Sequence, residues 1–238
     1  MYTYQSRVGF SQSDVNQNMS VTSIIDVFQD CSCFHSDDLG VGFYKLHPMN
    51  YAWVINYWEV EFLKFPKYSD RIEVGTFPYE FKGFMGCRNF FIRDMEGNFL
   101  VKANSIWAFM DWEKMLPVRV PKEISDKYES EEKLDMTYSP RKIRLPEGDD
   151  VKVSEKDKVI IQRSHLDGNG HVNNGQYIKI ALEQISLSGD MNRLRVEYQS
   201  QAHLGDEIHP FIYEKDNKIT VALNNSESHP FAIVEVTV

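Results

Sequence analysis

Two short polar stretches decide how this chain is organised: residues 14–19 read DVNQNM and residues 167–172 read DGNGHV. Asp and Asn occupy the same places in both strings, and each string comes just before a segment with helical periodicity. Asn and Asp are typical of loops that lead into helices. The sequence therefore contains one loop-to-helix unit in two copies.

The segment after each loop predicts a helix. Ser20 is a suitable N-cap for the first helix, which the glycines at 40 and 42 would end. A second helix is predicted over residues 174–187, with Tyr177 and Ile180 near one face. The apolar face of the first helix combines residues at helical spacing: Ile24, Ile25, Phe28, Cys31, and Phe34 or His35.

Four strand patterns follow each helix. They cover residues 51–63, 71–79, 84–93 and 98–110 in the first half, and 194–200, 207–213, 218–224 and 231–238 in the second. Two further strings align: residues 70–72 over 206–208, and the turn at 94–97 over the turn at 214–217. A short strand pattern also comes before each loop, at residues 3–10 and 158–163. A repeated strand–helix–four-strand unit predicts an α+β protein that arose by duplication and fusion of one small domain.

The repeat also sets the expected domain limits. We predict an N-terminal repeat at residues 1–112 and a C-terminal repeat at residues 156–238. The intervening residues 113–155 contain four prolines and clustered charges, which favours a crossing segment or linker rather than core.

Composition narrows the class of function. The chain has 238 residues, 42% of them hydrophobic, and a net charge of -9. Nucleic acid and anionic membranes are therefore unexpected partners, and no stretch predicts membrane insertion. The three cysteines cannot form a disulfide framework and fit a reducing, cytoplasmic compartment. Catalysis by Cys31 or Cys33 beside His35 is a less favoured alternative, and no zinc-like pairing of Cys and His occurs.

The second polar stretch has the side chains for carbonyl chemistry. Asp167, Asn169 and His171 fall at every second position just before a helix N-terminus. Such groups can polarise a carbonyl and hold a water, and imidazole suits proton transfer near neutral pH. The first copy has Asn18 where the second has His171, which predicts one working site, in the second half. A loop that only caps a helix is the alternative interpretation.

Longer strings around this stretch resemble a known family. Residues 166–174 (LDGNGHVNN), Tyr177-Ile178 and residues 196–202 (VEYQSQA) resemble the acyl-acyl carrier protein (acyl-ACP) thioesterases of plants and bacteria. Further similarity in the first half, including residues 53–55 and 103–107, extends the resemblance over nearly the whole chain. It implies a double hotdog fold and hydrolysis of fatty acyl thioesters on ACP, which releases free fatty acid.

The resemblance also implies roles for particular residues. The Asp, Asn and His of the family motif fall on Asp167, Asn169 and His171. A catalytic Glu of the family falls on Gln201, followed by Ala202 where plant enzymes often have Cys. Gln cannot act as a general base, so Gln201 could only position a water. Either Asp167 or His171 would then take the proton, or activity would be reduced. Backbone N–H groups at residues 172–174 are expected to stabilise the oxyanion, which makes Asn173 and Asn174 substrate-binding candidates; no metal or cofactor is required.

Other candidate contacts are open to two interpretations. Ile24, Ile25, Phe28 and Phe34 are either core residues or the lining of an acyl tunnel. The basic residues 141–144 either dock the carrier protein or form a solvated segment, and a homodimer is compatible with the sequence. His165 is expected to be loop scaffolding, and His203 lies either near the site or on the surface. The alternatives to an acyl-ACP thioesterase are an acyl-CoA thioesterase and a catalytically weakened fatty-acyl binding or sensing protein.

Overall fold

The computed structural model describes residues 1–168, 170–187 and 189–238. The chain forms two compact units, residues 1–138 and 139–238. The boundary falls inside the segment from 113 to 155 for which a crossing segment or linker was expected. In the described residues, no helix has the length and apolar character needed to cross a membrane.

The N-terminal unit is an antiparallel sheet with one long helix. The strands follow the order β1-β3-β4-β5-β2. The helix contacts β1 and β3. In chain order the elements are β1 (Tyr2–Arg7), α1 (Val21–Asp38), α2 (Phe43–Leu46), β2 (Tyr51–Phe62), β3 (Arg71–Lys82), β4 (Met85–Asp94), β5 (Phe99–Asp111), β6 (Leu116–Pro117) and α3 (Lys122–Ser125).

Helix α1 has the ends and the buried face that its sequence predicts. The Ser20 hydroxyl accepts the N–H of Ser23 at 3.2 Å. At the other end Gly40 takes a φ of 69°, and the N–H of Val41 donates to the carbonyl of Ser36 at 2.9 Å, as in a Schellman cap. His35 rather than Phe34 lies on the buried face, because at 100° per residue it follows the row of Phe28 and Cys31.

The segment after β5 is more closely packed than a linker. Val120, Ile124 and Tyr128 are buried in one apolar cluster with Phe109. Residues 131–137 then cross the sheet with a hydrogen bond to each of four strands. The bonds run from the N–H of Glu131 to the carbonyl of Pro78 (3.0 Å), from the N–H of Leu134 to Asn89 Oδ1 (3.2 Å), from Lys102 Nζ to the carbonyl of Asp135 (2.7 Å), and from the N–H of Thr137 to Glu61 Oε1 (2.9 Å).

The C-terminal unit repeats the plan on a smaller scale. Its strands follow the order β9-β12-β11-β10-β7, β8 pairs with β10, and the helix contacts β11 and β12. The helix ends at Glu183 rather than at the predicted Leu187, with Gln184 as its C-cap. In chain order the elements are β7 (Lys152–Glu155), β8 (Val159–Ile160), α4 (Asn174–Glu183), β9 (Arg193–Tyr198), β10 (Glu207–Lys215), β11 (Lys218–Asn224) and β12 (Pro230–Thr237).

The two polar loops have the same hydrogen bonds. In the first copy the N–H of Asp14 donates to the carbonyl of Asn18 at 2.8 Å, and the N–H of Asn18 donates to Asp14 Oδ1 at 2.9 Å. In the second copy the N–H of Asp167 donates to the carbonyl of His171 at 2.8 Å, and the N–H of His171 donates to Asp167 Oδ1 at 3.2 Å. The described residues of the two loops therefore share these bonds although one loop carries an amide where the other carries an imidazole.

A second segment closes each loop in the same way, which supports the alignment of residues 70–72 with 206–208. In each copy a backbone N–H after the loop donates to this segment, and an Asp caps the segment itself. In the first copy, the N–H of Met19 donates to the carbonyl of Pro66 (2.7 Å), and the N–H of Lys67 donates to Asp70 Oδ2 (2.8 Å). In the second copy, the N–H of Val172 donates to the carbonyl of Ala202 (3.2 Å), and the N–H of His203 donates to Asp206 Oδ2 (2.8 Å).

The alignment of the turn at 94–97 with the turn at 214–217 is wrong. Asp94 lies between β4 and β5, whose counterparts by sheet order are β11 and β12. The matching turn begins at Asn225, whose Oδ1 accepts the N–H groups of residues 227 and 229 at 2.9 Å. Asp94 Oδ1 accepts those of residues 96 and 98 at 3.0 and 2.9 Å. Polar turns have similar compositions, so only the strand order distinguishes them.

Candidate active site

The loop before α4 is closed on itself by Asp167. Its carboxylate accepts the N–H of His171, and its carbonyl accepts the N–H of Gly170 at 3.1 Å. Gly170 has a φ of 79°, a conformation that glycine adopts without strain. A bridge between Leu166 and Val172 completes the loop. These contacts hold the backbone of His171, which carries a half-buried imidazole, in front of the helix.

The start of α4 follows directly. The side chain of Asn173 is the N-cap and accepts the N–H of Gly175 at 2.8 Å, and the N–H of Asn173 donates to the carbonyl of His165 at 2.9 Å. Asn173 is therefore engaged in capping, and His165 acts as the expected scaffold. The positive end of the helix dipole lies beside the loop and favours a developing negative charge there.

Not all of the backbone N–H groups of residues 172–174 are available as the expected oxyanion donors. The N–H of Val172 donates to the carbonyl of Ala202 and that of Asn173 to the carbonyl of His165. Within the described residues, the structure shows no acceptor for the N–H of Asn174. Of the three expected donors, this N–H in the first turn of α4 is the remaining candidate.

The segment after β9 is fastened to the loop and the helix. The N–H of Ala202 donates to the Tyr177 hydroxyl at 2.8 Å, and its carbonyl accepts the N–H of Val172 at 3.2 Å. Ala202 and Tyr177 are both buried. Gln201, the residue before Ala202, is thereby placed next to the loop with an exposed side chain. The predicted catalytic positions thus share one end of the unit, except Asn169, which lies outside the described residues.

The role of Tyr177 was not predicted, whereas His203 lies near His171, one of the two positions expected for it. Tyr177 was expected to be part of a helix face, but it braces the segment that carries Gln201. Burial raises the pKa of its hydroxyl to about 12, and the nearby carboxylates of Asp206 and Asp167 act in the same direction. The imidazole of His203 contacts that of His171 edge to face, with 5.2 Å between ring centroids and 65° between ring planes.

The candidate substrate residues of the first helix are in a different unit. Ile24, Ile25 and Phe28 are buried, and the ring of Phe28 lies 5.3 Å from that of Phe90. Phe34 is 45% exposed. A role for these side chains in acyl binding stays a prediction, and the three buried residues are the stronger candidates because acyl chains are bound away from water.

The buried side chain of Arg88 contacts helix α1 at His35. The guanidinium of Arg88 lies 3.1 Å from His35 Nδ1 and 5.5 Å from the ring centre of Tyr128. Burial and the charge of Arg88 lower the pKa of His35 to about 4. His35 is therefore neutral near pH 7, and its Nδ1 can accept a hydrogen bond from Arg88.

The comparisons agree with the geometry. A helix packed on an antiparallel sheet and present twice is the double hotdog fold, and a crystal structure of an acyl-ACP thioesterase from Bacteroides thetaiotaomicron matches it at a TM-score of 0.89. That match covers 99% of this chain and 96% of the other at 24% identity. A hypothetical protein from Aquifex aeolicus, matched over its full length, covers 54% of this chain at a TM-score of 0.51, as expected for a single copy of the repeat.

The sequence comparisons give the family. The family model for the acyl-ACP thioesterase N-terminal domain matches residues 1–128, and that for the C-terminal domain matches residues 148–229. The chain belongs to the acyl-ACP thioesterase family. A chloroplastic oleoyl-acyl carrier protein thioesterase of Arabidopsis thaliana is 26% identical over 192 residues, which are 72% of this chain and 50% of that protein. The chain thus spans about half the length of the curated relatives it matches.

Proposed function

We propose that this protein hydrolyses fatty acyl thioesters carried by ACP and releases free fatty acid. The observation that carries the proposal is the position of His171. The two polar loops share their hydrogen bonds, yet only the second places an imidazole in front of a helix N-terminus, where the first has Asn18. The match of family models to both halves supports the same activity.

The geometry suggests a division of labour. His171 takes a proton from water as the water oxygen attacks the thioester carbonyl carbon. The N–H of Asn174 and the positive end of α4 stabilise the oxyanion. The carbon–sulfur bond then breaks, and His171 returns the proton to the sulfur, which leaves as a thiol. Asp167 holds the loop in shape through its bond to the N–H of His171, and Gln201 positions the water.

The repeat supplies a matched control for this assignment. His171→Ala removes the imidazole, and Asn18→Ala removes the amide at the equivalent place in the other copy. Because a general acid–base group typically contributes about 10²–10⁴-fold, we expect His171→Ala to lower kcat by at least about a hundredfold and Asn18→Ala to leave it unchanged. Steady-state hydrolysis of an acyl-ACP by the purified variants measures both. Equal activity of wild type and His171→Ala would disprove the assignment.

The choice of carrier is a separate part of the proposal. Acyl-CoA offers the same thioester, so the acyl chains must be matched between the two substrates. We expect a higher kcat/KM for acyl-ACP, and a clear preference for acyl-CoA would move the protein to a CoA thioesterase. A panel of chain lengths on ACP then defines the acyl specificity.

Basic residues after the first unit are the proposed contact with the acidic carrier. The guanidinium of Arg141 lies 3.7 Å from Glu197, and the buried Ile143 donates its N–H to the same carboxylate at 2.8 Å. Lys142 and Arg144 are exposed. The double substitution Lys142→Glu with Arg144→Glu should raise KM for acyl-ACP and leave KM for acyl-CoA unchanged, because only the protein carrier would contact this surface. An equal change for both substrates would argue against docking here.

A second candidate function follows from Gln201. Its exposed side chain stands where the family has a catalytic carboxylate, which favours a weakened catalyst that binds or senses fatty acyl groups. Gln201→Glu discriminates between the two functions. A large gain in kcat would identify a weakened enzyme, whereas a loss would show that the amide is the working water-positioning group.

The proposed cellular location is argued from the cysteines. Cys31, Cys33 and Cys87 are free thiols, which supports a reducing compartment, and we propose the cytoplasm. A homodimer remains a prediction, and light scattering on the purified protein tests it.

A further inference from the structure

His203 is the side chain at the proposed site to which the family motif gives no role. Its ring meets the ring of His171 edge to face, 5.2 Å between centroids. The contact joins the loop before α4 to the segment after β9. These are the two pieces of chain that carry the proposed catalytic residues.

The backbone of His203 is held independently of its side chain. Its N–H donates to Asp206 Oδ2 at 2.8 Å, and its carbonyl accepts the N–H of Asp206 at 3.1 Å. The preceding Ala202 is bonded through both its N–H and its carbonyl. The backbone that carries the exposed side chain of His203 is therefore held in place, and its ring lies against the ring of His171.

The first copy of the repeat has other side chains at the two positions where the second copy has His171 and His203. Asn18 and Lys67 occupy the places of His171 and His203 and are joined by a β-bridge. Lys67 has the same backbone bond to an Asp, at the same 2.8 Å, as His203 has. Both facing positions thus carry imidazoles in the copy with the proposed site and neither does in the other. The backbone is satisfied by Lys as well as by His, so the fold does not demand the second imidazole.

We propose that His203 is a positioning residue for His171, a role that rests on the proposed hydrolase function. Edge-to-face packing restricts rotation of the His171 ring and keeps one ring nitrogen directed at the attacking water and, later, at the departing sulfur. Aromatic pairs of this geometry attract each other beyond the effect of buried area. The packing replaces part of the organisation that a carboxylate at position 201 would supply.

The test separates ring packing from other effects. His203→Ala removes the ring, His203→Phe keeps a planar ring without nitrogens, and Lys67→Ala makes the matched truncation in the other copy. We expect His203→Ala to lower kcat about tenfold, equivalent to about 1.4 kcal/mol in the barrier, with KM within about twofold. His203→Phe should restore kcat to within about threefold of the wild type, and Lys67→Ala should have no effect on kcat. Thermal unfolding of each variant checks that the exposed substitutions leave the fold intact.

Three outcomes would overturn the positioning role of His203. An unchanged kcat in His203→Ala would overturn the positioning role while the wild-type activity upheld the hydrolase function. Equal damage by Phe and Ala would also overturn it, since the ring nitrogen rather than the ring would then be required. A wild type with no hydrolysis of any acyl thioester would overturn the hydrolase function, and this role with it.

Discussion

The hydrogen bond from the N–H of Ala202 to the Tyr177 hydroxyl, here called the brace, gives the sharpest prediction about this structure. Tyr177→Phe removes one oxygen and leaves the N–H of Ala202 without its acceptor. Ala202 is 0% exposed and Tyr177 is 3% exposed, so water cannot replace the lost partner without a local rearrangement. An unsatisfied buried donor costs about 1–3 kcal/mol, and we expect the free energy of unfolding of the C-terminal unit to fall by that amount.

The same substitution should also reduce activity. The segment with Gln201 and His203 would retain its bond from Val172 and lose the bond to the helix. We expect kcat to fall severalfold in an acyl-ACP hydrolysis assay. Because the pKa of Tyr177 is raised to about 12, its hydroxyl stays protonated, and the loss of stability should be equal at pH 6 and pH 9.

Tyr128→Phe is the control for this experiment. Tyr128 is also buried, and its hydroxyl donates to Ser36 Oγ at 2.9 Å in the N-terminal unit. We expect a smaller loss, about 1 kcal/mol for one net hydrogen bond, and no change in kcat. Urea unfolding at fixed pH measures both variants. A loss below about 0.5 kcal/mol for Tyr177→Phe, within the range of ordinary surface substitutions, would refute the role of the brace.

Three further predictions concern the N-terminal unit. Between pH 6.5 and 5 the unfolded chain binds a proton at residue 35 and the folded chain does not, since burial and Arg88 lower the pKa of His35 from 6.5 to about 4. Stability should therefore fall on acidification, by about 1 kcal/mol after allowance for solvent screening, and His35→Gln should remove this component of a urea titration against pH. Gly75→Ala would place a Cβ 2.1 Å from the ring of Phe91 and should cost about 1–3 kcal/mol of unfolding free energy; an unchanged urea midpoint would contradict this packing. Ser20→Ala should cost about 1 kcal/mol by removing the cap of α1, and Ser20→Asp, which keeps a cap, should cost less in the same measurement.

Much of the fold could be read from the sequence because it depends on local patterns. Helix α1 begins after Ser20, as its capping chemistry and apolar spacing predict, and the eight main strands lie where alternation and turn residues predict them. The two-copy organisation followed from the Asp-x-Asn strings. The predicted match for the turn at Asp94 failed, because polar turns resemble each other and their correspondence depends on strand order in the sheet.

The catalytic candidates were predictable in type but not in their contacts. Sequence alone singled out Asp167 and His171, since an Asp, an imidazole and a helix start within a few residues are a local arrangement. Whether a backbone N–H stays available is a tertiary matter. The N–H groups of Val172 and Asn173 are occupied by carbonyls, and that of Val172 pairs with a residue 30 positions away.

The sequence by itself determined that the chain has two related halves and that only the second carries an imidazole in its polar loop. These facts lie in residue identities and short-range spacing. Only the tertiary structure decided that Tyr177 braces Ala202, that His203 meets His171 and that Phe34 is on the exposed side of α1. The reason is physical: such contacts join segments about 25 or more residues apart, or depend on how a helix is rotated against its sheet, and packing alone fixes both.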